Sequence, residues 1–157
     1  MDKRVLTALT RAPKIVERLL RVFPHDRLDD RIEADRFTAR EVVSHIADYE
    51  QTVLDRIRAA NIKPGREVPD YDPDTQAALH GFSDKEPFHE AEVFESRRAM
   101  TIEYLEGLSD SDMEKTFVRA GSPPVTIRSY LVLLLTHDLE HIEQVSAYLA
   151  TEVAVHS

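Results

Sequence analysis

Residues 38–60 read TAREVVSHIADYEQTVLDRIRAA, and the way this stretch folds constrains the rest of the chain. It opens with Thr38 and, three residues later, Glu41. In that pattern each side chain can bond the other residue's backbone N–H at a helix start. Val42, Ile46, Tyr49, Val53 and Ile57 then recur at helical spacing, filling an arc of about 80° on a helical wheel. A helix with such a stripe gains most of its stability by burying it against other elements. His45 lies just off one edge of the arc, so it points inward or along the rim of the core.

Outward from this helix the chain supplies partners of the same kind. A first helix is predicted over Asp2–Val22 on Val5, Leu6, Leu9, Ile15, Val16, Leu19 and Leu20, with Pro13 expected to kink or interrupt it. FPHDRLDDRIEADRF at 23–37 is a polar connection. Residues 61–87 are rich in Pro, Gly and charge, which predicts a long connection and a candidate wall or lid for a pocket. A third helix is predicted over Phe88–Leu108 on Ala91, Phe94, Met100, Leu105 and Leu108. Ser111 with Glu114 predicts a further capped turn, and Gly121–Pro124 a break. The last helix is predicted over Thr126–Thr151, ~40 Å long. With four Gly in all and no alternating strand-like runs, the chain is expected to be all-α. The predicted architecture is a single domain spanning 1–157, a four-helix bundle with a long connection between helices two and three.

Composition narrows the chemistry. Lys and Arg total 20 against 29 Asp and Glu, a net charge of −9, which disfavours nucleic acid and anionic membrane surfaces as partners. There is no Cys, hence no disulfide and no protein thiolate, and a transition-metal site would have to use His and carboxylates. The longest apolar run, LVLLL at 131–135, is far too short to span a bilayer. The N-terminal stretch lacks the apolar core of a signal peptide, so a cytoplasmic location is expected.

THDLEHIEQVSAYLA at 136–150 carries the candidate chemistry. His137 and His141 are i,i+4 neighbours. With Gln144 and Tyr148 they share one flank of the stripe formed by Ile127, Leu131, Leu134, Val145 and Leu149. This is the spacing by which one helix offers two imidazoles to a single ion, and it is also open to two hydrogen-bonded core histidines. A third ligand would have to come from another helix, and His45 is the other histidine predicted mid-helix beside an apolar face. His25, His80, His89 and His156 read as solvated. Asp138 falls inside the apolar stripe, where an unpaired carboxylate is costly. It is expected to orient an imidazole or pair with an arginine from helix one or two. Gln144 is expected to bond a metal-bound water or a neighbouring segment, and both residues read as structural rather than catalytic.

THDLEHIEQV at 136–145 resembles the H-D-x-x-H-x-x-Q signature on the last helix of the DinB-like (YfiT-like) superfamily, small bacterial four-helix metalloproteins. RFTAREVVSHIADYE at 36–50 is similar to that family's second helix, where an S/T-x-x-E start precedes a histidine. Phe37 stands where many members have Trp, and Glu140 and Glu143 stand where relatives often have aromatic or small residues. The resemblance implies that His45, His137 and His141 bind one divalent transition metal, zinc or nickel first and iron or manganese next. It also implies thiol-dependent transferase, isomerase or metal-dependent hydrolase activity. The expected function is therefore an open three-histidine metal enzyme acting on a small molecule, as a thiol S-transferase using a low-molecular-weight thiol or as a hydrolase. The alternative is a non-catalytic metal-binding or stress-response module, and a homodimer is a further expectation. An HD-type phosphohydrolase needs a later Asp, and none follows Asp138. A ferritin-like di-iron site needs a pair of Glu-x-x-His runs, which is absent.

Overall fold

The computed structural model describes residues 2–156, with side chains described through Thr151. Four long helices form the bundle, and a fifth, short one lies in the connection. They are α1 (Lys3–Val22), α2 (Ala39–Ile62), α3 (Pro73–His80), α4 (Pro87–Glu106) and α5 (Ile127–His156). Each long helix begins with a side chain that takes up a free backbone N–H. Asp2 accepts from Arg4 at 2.9 Å, and Thr126 Oγ1 accepts from Ser129 at 3.0 Å. The box at Thr38 and Glu41 is formed in both directions, at 3.2 and 3.0 Å. The second box predicted from sequence is displaced by two residues. Ser109 and Asp112 exchange the reciprocal bonds at 3.0 and 3.1 Å, while Glu114 is drawn to Arg128 at 2.6 Å.

Of the kink or interruption expected at Pro13, the interruption does not occur, and α1 runs through it. A proline in a helix interior leaves the carbonyl four residues earlier without its donor, here that of Leu9. The Arg98 guanidinium supplies the missing donor from α4, with Nη1 to Leu9 O at 2.8 Å.

The helices do not alternate in direction. Ala47 and Glu50 of α2 meet Arg97 and Arg98 of α4, and Asn61 meets Tyr104 further along. Both sequences ascend together, so α2 and α4 are parallel. His45 meets His137 while Tyr49 meets Tyr130, so α2 and α5 are antiparallel. The order is up, down, down, up, and the chain leaving α2 must travel back along the bundle before α4 can begin. At 1.5 Å per residue that return covers ~36 Å, which is why the 61–87 connection is long.

That connection is also more ordered than its composition predicts. It holds α3, a 3₁₀ turn at Phe82–Asp84 and a strand, β1 (Arg66–Glu67). β1 pairs in parallel with β2 (Thr116–Val118), which pairs antiparallel with β3 (Val125–Thr126). This small sheet, unexpected from sequence, ties the α2–α4 connection to the α4–α5 connection just before α5 starts. Among the described residues no helix is long and apolar enough to cross a membrane.

The core has two apolar halves. Val16, Val43, Phe94 and Val145 belong to one, and Leu9, Val53, Leu105 and Leu131 to the other. Between them on α2, α4 and α5 lie Glu50, Arg98 and Asp138, all buried. Ile15 and Met100, assigned to apolar faces from sequence, are exposed. In α4 the inward positions go to Arg98 and Thr101 instead.

Candidate metal centre

The antiparallel pairing of α2 and α5 brings His45 against the His137–His141 pair. His45 is buried, and its partners are half-buried. His45 Nε2 lies 3.1 Å from His137 Nε2, and His141 Nε2 lies 3.2 Å from the same atom. The three rings meet edge-on, at interplanar angles of 70–81°. Three ligand nitrogens at about 2.0–2.1 Å from a tetrahedral ion would stand roughly 3.3 Å apart, so the observed spacing suits one small cation.

The outward nitrogens of His45 and His141 decide which tautomer those two rings adopt. Tyr71 O–H donates to Asp48 Oδ2 at 2.8 Å, so its oxygen accepts from His45 Nδ1–H at 3.2 Å. Gln144 Nε2 donates to Tyr148 O–H at 2.8 Å, and Tyr148 donates to the Phe37 carbonyl at 2.9 Å. This orientation presents Gln144 Oε1 to His141 Nδ1 at 3.0 Å. Both outer Nδ1 atoms therefore carry protons, and the inner Nε2 atoms of His45 and His141 offer lone pairs. Burial, together with the neighbouring imidazoles, pushes His45 down to about 3 and His137 to about 2. Burial lowers His141 as well, against the opposing hydrogen bond to Gln144. The site is a set of neutral donors, the form a metal requires.

Behind His137 the next residue, Asp138, is held by Arg98. The guanidinium uses all five of its N–H donors. Two go to Glu50 (2.8 and 2.9 Å), two to Asp138 (2.8 and 2.9 Å) and one to Leu9 O (2.8 Å). Although burial opposes its charge, the Asp138 and Glu50 carboxylates hold Arg98 protonated; burial pushes the Glu50 carboxyl up against the pull of Arg98. The arginine that partners Asp138, expected on helix one or two, comes instead from α4. The signal was present, since Arg98 lies about 20° from Ala91 on the wheel, between Ala91 and Leu105 inside the apolar stripe.

The inner nitrogens face a cavity of about 390 Å³, with Phe37, Tyr49 and Tyr71 among its walls and Asp35, Arg36 and Asp74 at its rim. Gln144 is buried at the edge of this cavity, and its amide orients His141 rather than bridging to a neighbouring segment. Tyr71 and Asp48 were not picked out from sequence, because nothing local to residue 71 says that the crossover passes His45. His25, His80 and His89 are exposed as expected, although His80 Nδ1 pairs with Asp48 Oδ1 at 2.8 Å. The side chain of His156 lies outside the described residues. Glu140 and Glu143 are exposed.

The profile of the DinB superfamily matches residues 8–145. A protein of Oceanobacillus iheyensis, provisionally named a metal-dependent hydrolase, is 21% identical over 136 residues, which is 86% of this chain and 78% of that protein. YfiT from Bacillus subtilis, described as a probable metal-dependent hydrolase with an unusual four-helix bundle topology, superposes with a TM-score of 0.88 at 18% identity. The match covers 93% of this chain and 84% of YfiT.

Proposed function

Because the chain belongs to the DinB superfamily, we propose that His45, His137 and His141 ligate one divalent transition metal and that this centre hydrolyses a small-molecule substrate. The convergence of three Nε2 atoms from neutral, buried imidazoles carries this reading. The descriptions of the Oceanobacillus and Bacillus proteins support the reaction class. A divalent ion held there supplies Lewis acidity and lowers the pKa of a bound water or thiol.

The chain's own residues do the rest. Tyr71 and Gln144 hold two rings by their outer nitrogens, the arrangement that sets ligand orientation. Asp138, clamped by Arg98, fixes the α5 backbone beside His137. With three protein ligands, an ion held by His45, His137 and His141 would keep room for a further ligand, and the cavity beside the three rings offers the space for a substrate. An all-imidazole set suits zinc or nickel first, with iron next and manganese after it.

A second reading, transfer of a low-molecular-weight thiol, uses the same open position. It is favoured by the lack of any cysteine in the chain, which leaves that position free of a protein thiolate. The test begins with metal content after dialysis, where one equivalent per chain is expected. His45→Ala and His137→Ala should each lose that metal, although they lie on different helices. An unchanged affinity in the His45 variant removes it from the ligand set, and a wild type that binds no metal ends the proposal. Turnover across esters and amides supports hydrolysis, and thiol-dependent consumption of an electrophile supports transfer. Stoichiometric metal without either points to a non-catalytic module.

A further inference from the structure

A second cavity, of about 490 Å³, lies on the other side of Tyr71, between α2 and the crossover segment. Its size is within the range of small-molecule sites. One of its lining residues is Arg56, only 3% exposed. Arg56 differs from the other buried arginine of the bundle in having no counter-ion. Among the described residues its guanidinium makes no ion pair, and its Nε makes no hydrogen bond. The remaining donors reach only neutral oxygens at long distances. Nη1 lies 3.3 Å from Tyr49 O–H and 3.4 Å from Tyr130 O–H, and Nη2 lies 3.3 Å from Pro69 O. The rings of Tyr49, Phe117 and Tyr130 surround the guanidinium at 5.8–6.0 Å. Their faces soften the charge without neutralising it.

A guanidinium cannot shed its proton to escape burial, and a buried charge without a partner is costly. The carboxylates on the cavity wall are turned to other tasks or to solvent. Asp48 is taken by Tyr71 and His80, Asp55 accepts from Gln51, and Glu67 and Asp70 are exposed. The cavity is thus cationic in its depth, and its rim is of mixed charge, with the exposed Arg66 beside Glu67 and Asp70.

We propose that this cavity binds a small molecule through an anionic group, carboxylate or phosphate, which serves as the counter-ion of Arg56. The site is separate from the three histidines and does not rest on their binding a metal. It adjoins them, because Tyr71 lines both cavities and Tyr49 contacts both Arg56 and the His137 ring, the latter at 4.7 Å.

The test is a titration of the Arg56 Nε–H NMR resonance in the wild-type protein, metal-loaded and metal-stripped, with acetate, succinate and inorganic phosphate. Sodium chloride is the ionic-strength control. A saturable shift is expected in both metal states. Preference for acetate or succinate identifies a carboxylate ligand, and preference for phosphate a phosphate ligand. Arg56→Met should weaken the preferred anion by about tenfold or more, the loss of a charge-assisted bond, as followed by calorimetry. Arg56→Lys should keep part of the binding. The proposal is overturned if none of the three anions gives a saturable shift beyond chloride. It is also overturned if the shift disappears on stripping the metal, or if binding survives in Arg56→Met.

Discussion

Arg98 and His137 are joined through a single residue, Asp138, yet their surroundings are opposite. Around Arg98 every donor has an acceptor, two of the three acceptor groups are charged, and four helices contribute. Around His137 neutral nitrogens face one another across a gap that opens to a cavity. One polar cluster is closed and fixes how the helices pack. The other is left open on one side, and two of its three rings are held by partners at their backs. A bundle this small can carry a set of uncharged donors in its interior because the charged cluster beside it is fully satisfied.

Breaking the closed cluster should give the largest effect. Arg98→Met strands two buried carboxylates and is expected to cost about 3–5 kcal/mol of stability, measured by denaturant unfolding of the metal-free protein. A cost within the range of a surface substitution would mean that the cluster does not hold the helices together.

Acid should act on the open cluster. In the metal-free protein the folded pKa values of His45 and His137, about 3 and about 2, lie below the unfolded value. Their contribution to stability is therefore full above that value and is lost as pH falls through it toward the folded values. At pH 5.5 the loss is about 1.4 kcal/mol for each histidine. Comparing the pH 7 to 5.5 change in wild type with that in a His45→Gln, His137→Gln double variant isolates this contribution from that of Glu50, whose raised pKa acts in the other direction. Equal pH slopes in the two proteins would contradict the depressed values.

Tyr71→Phe removes the partner behind His45 and leaves the fold intact. Metal affinity is expected to fall about 10- to 100-fold, read by competition with a chelating dye, with little change in metal-free stability. The smallest effect should come from Pro13→Ala. Replacing a proline inside a helix is worth about 3 kcal/mol by propensity alone, but Leu9 O already has a donor in Arg98. The restored N–H would compete for that carbonyl, so the gain in stability should stay under about 1 kcal/mol. A gain near the full propensity value would show that the Arg98 contact contributes nothing there.

The three histidines and the four long helices were legible in the sequence because each rests on a local period. The stripe on 42–57 places His45, and the i,i+4 spacing on α5 places the other two. Arg98 was legible in principle, since a charged residue inside an apolar stripe asks for a partner, as Asp138 did. The sheet, Tyr71 and the direction of α4 were not. They depend on which helices run parallel, and no local pattern in α2 or α4 encodes that. Helix direction settled the path of the crossover, and the path settled which side chains reach His45.

The same crossover bears on how freely the protein can be trimmed. Two parallel helices cannot be joined by a tight hairpin, so some length between Lys63 and Glu86 is obligatory. Yet the chain there exceeds the minimum. With all eight residues of α3 excised, the remainder, at ~3.3 Å per extended residue, would still outreach the ~36 Å run of α2. The part of α3 that edges the histidine cavity, at Pro73 and Asp74, is thus spare chain, a place where insertions and deletions can reshape what enters the site while Tyr71 and the four-helix frame stay in place.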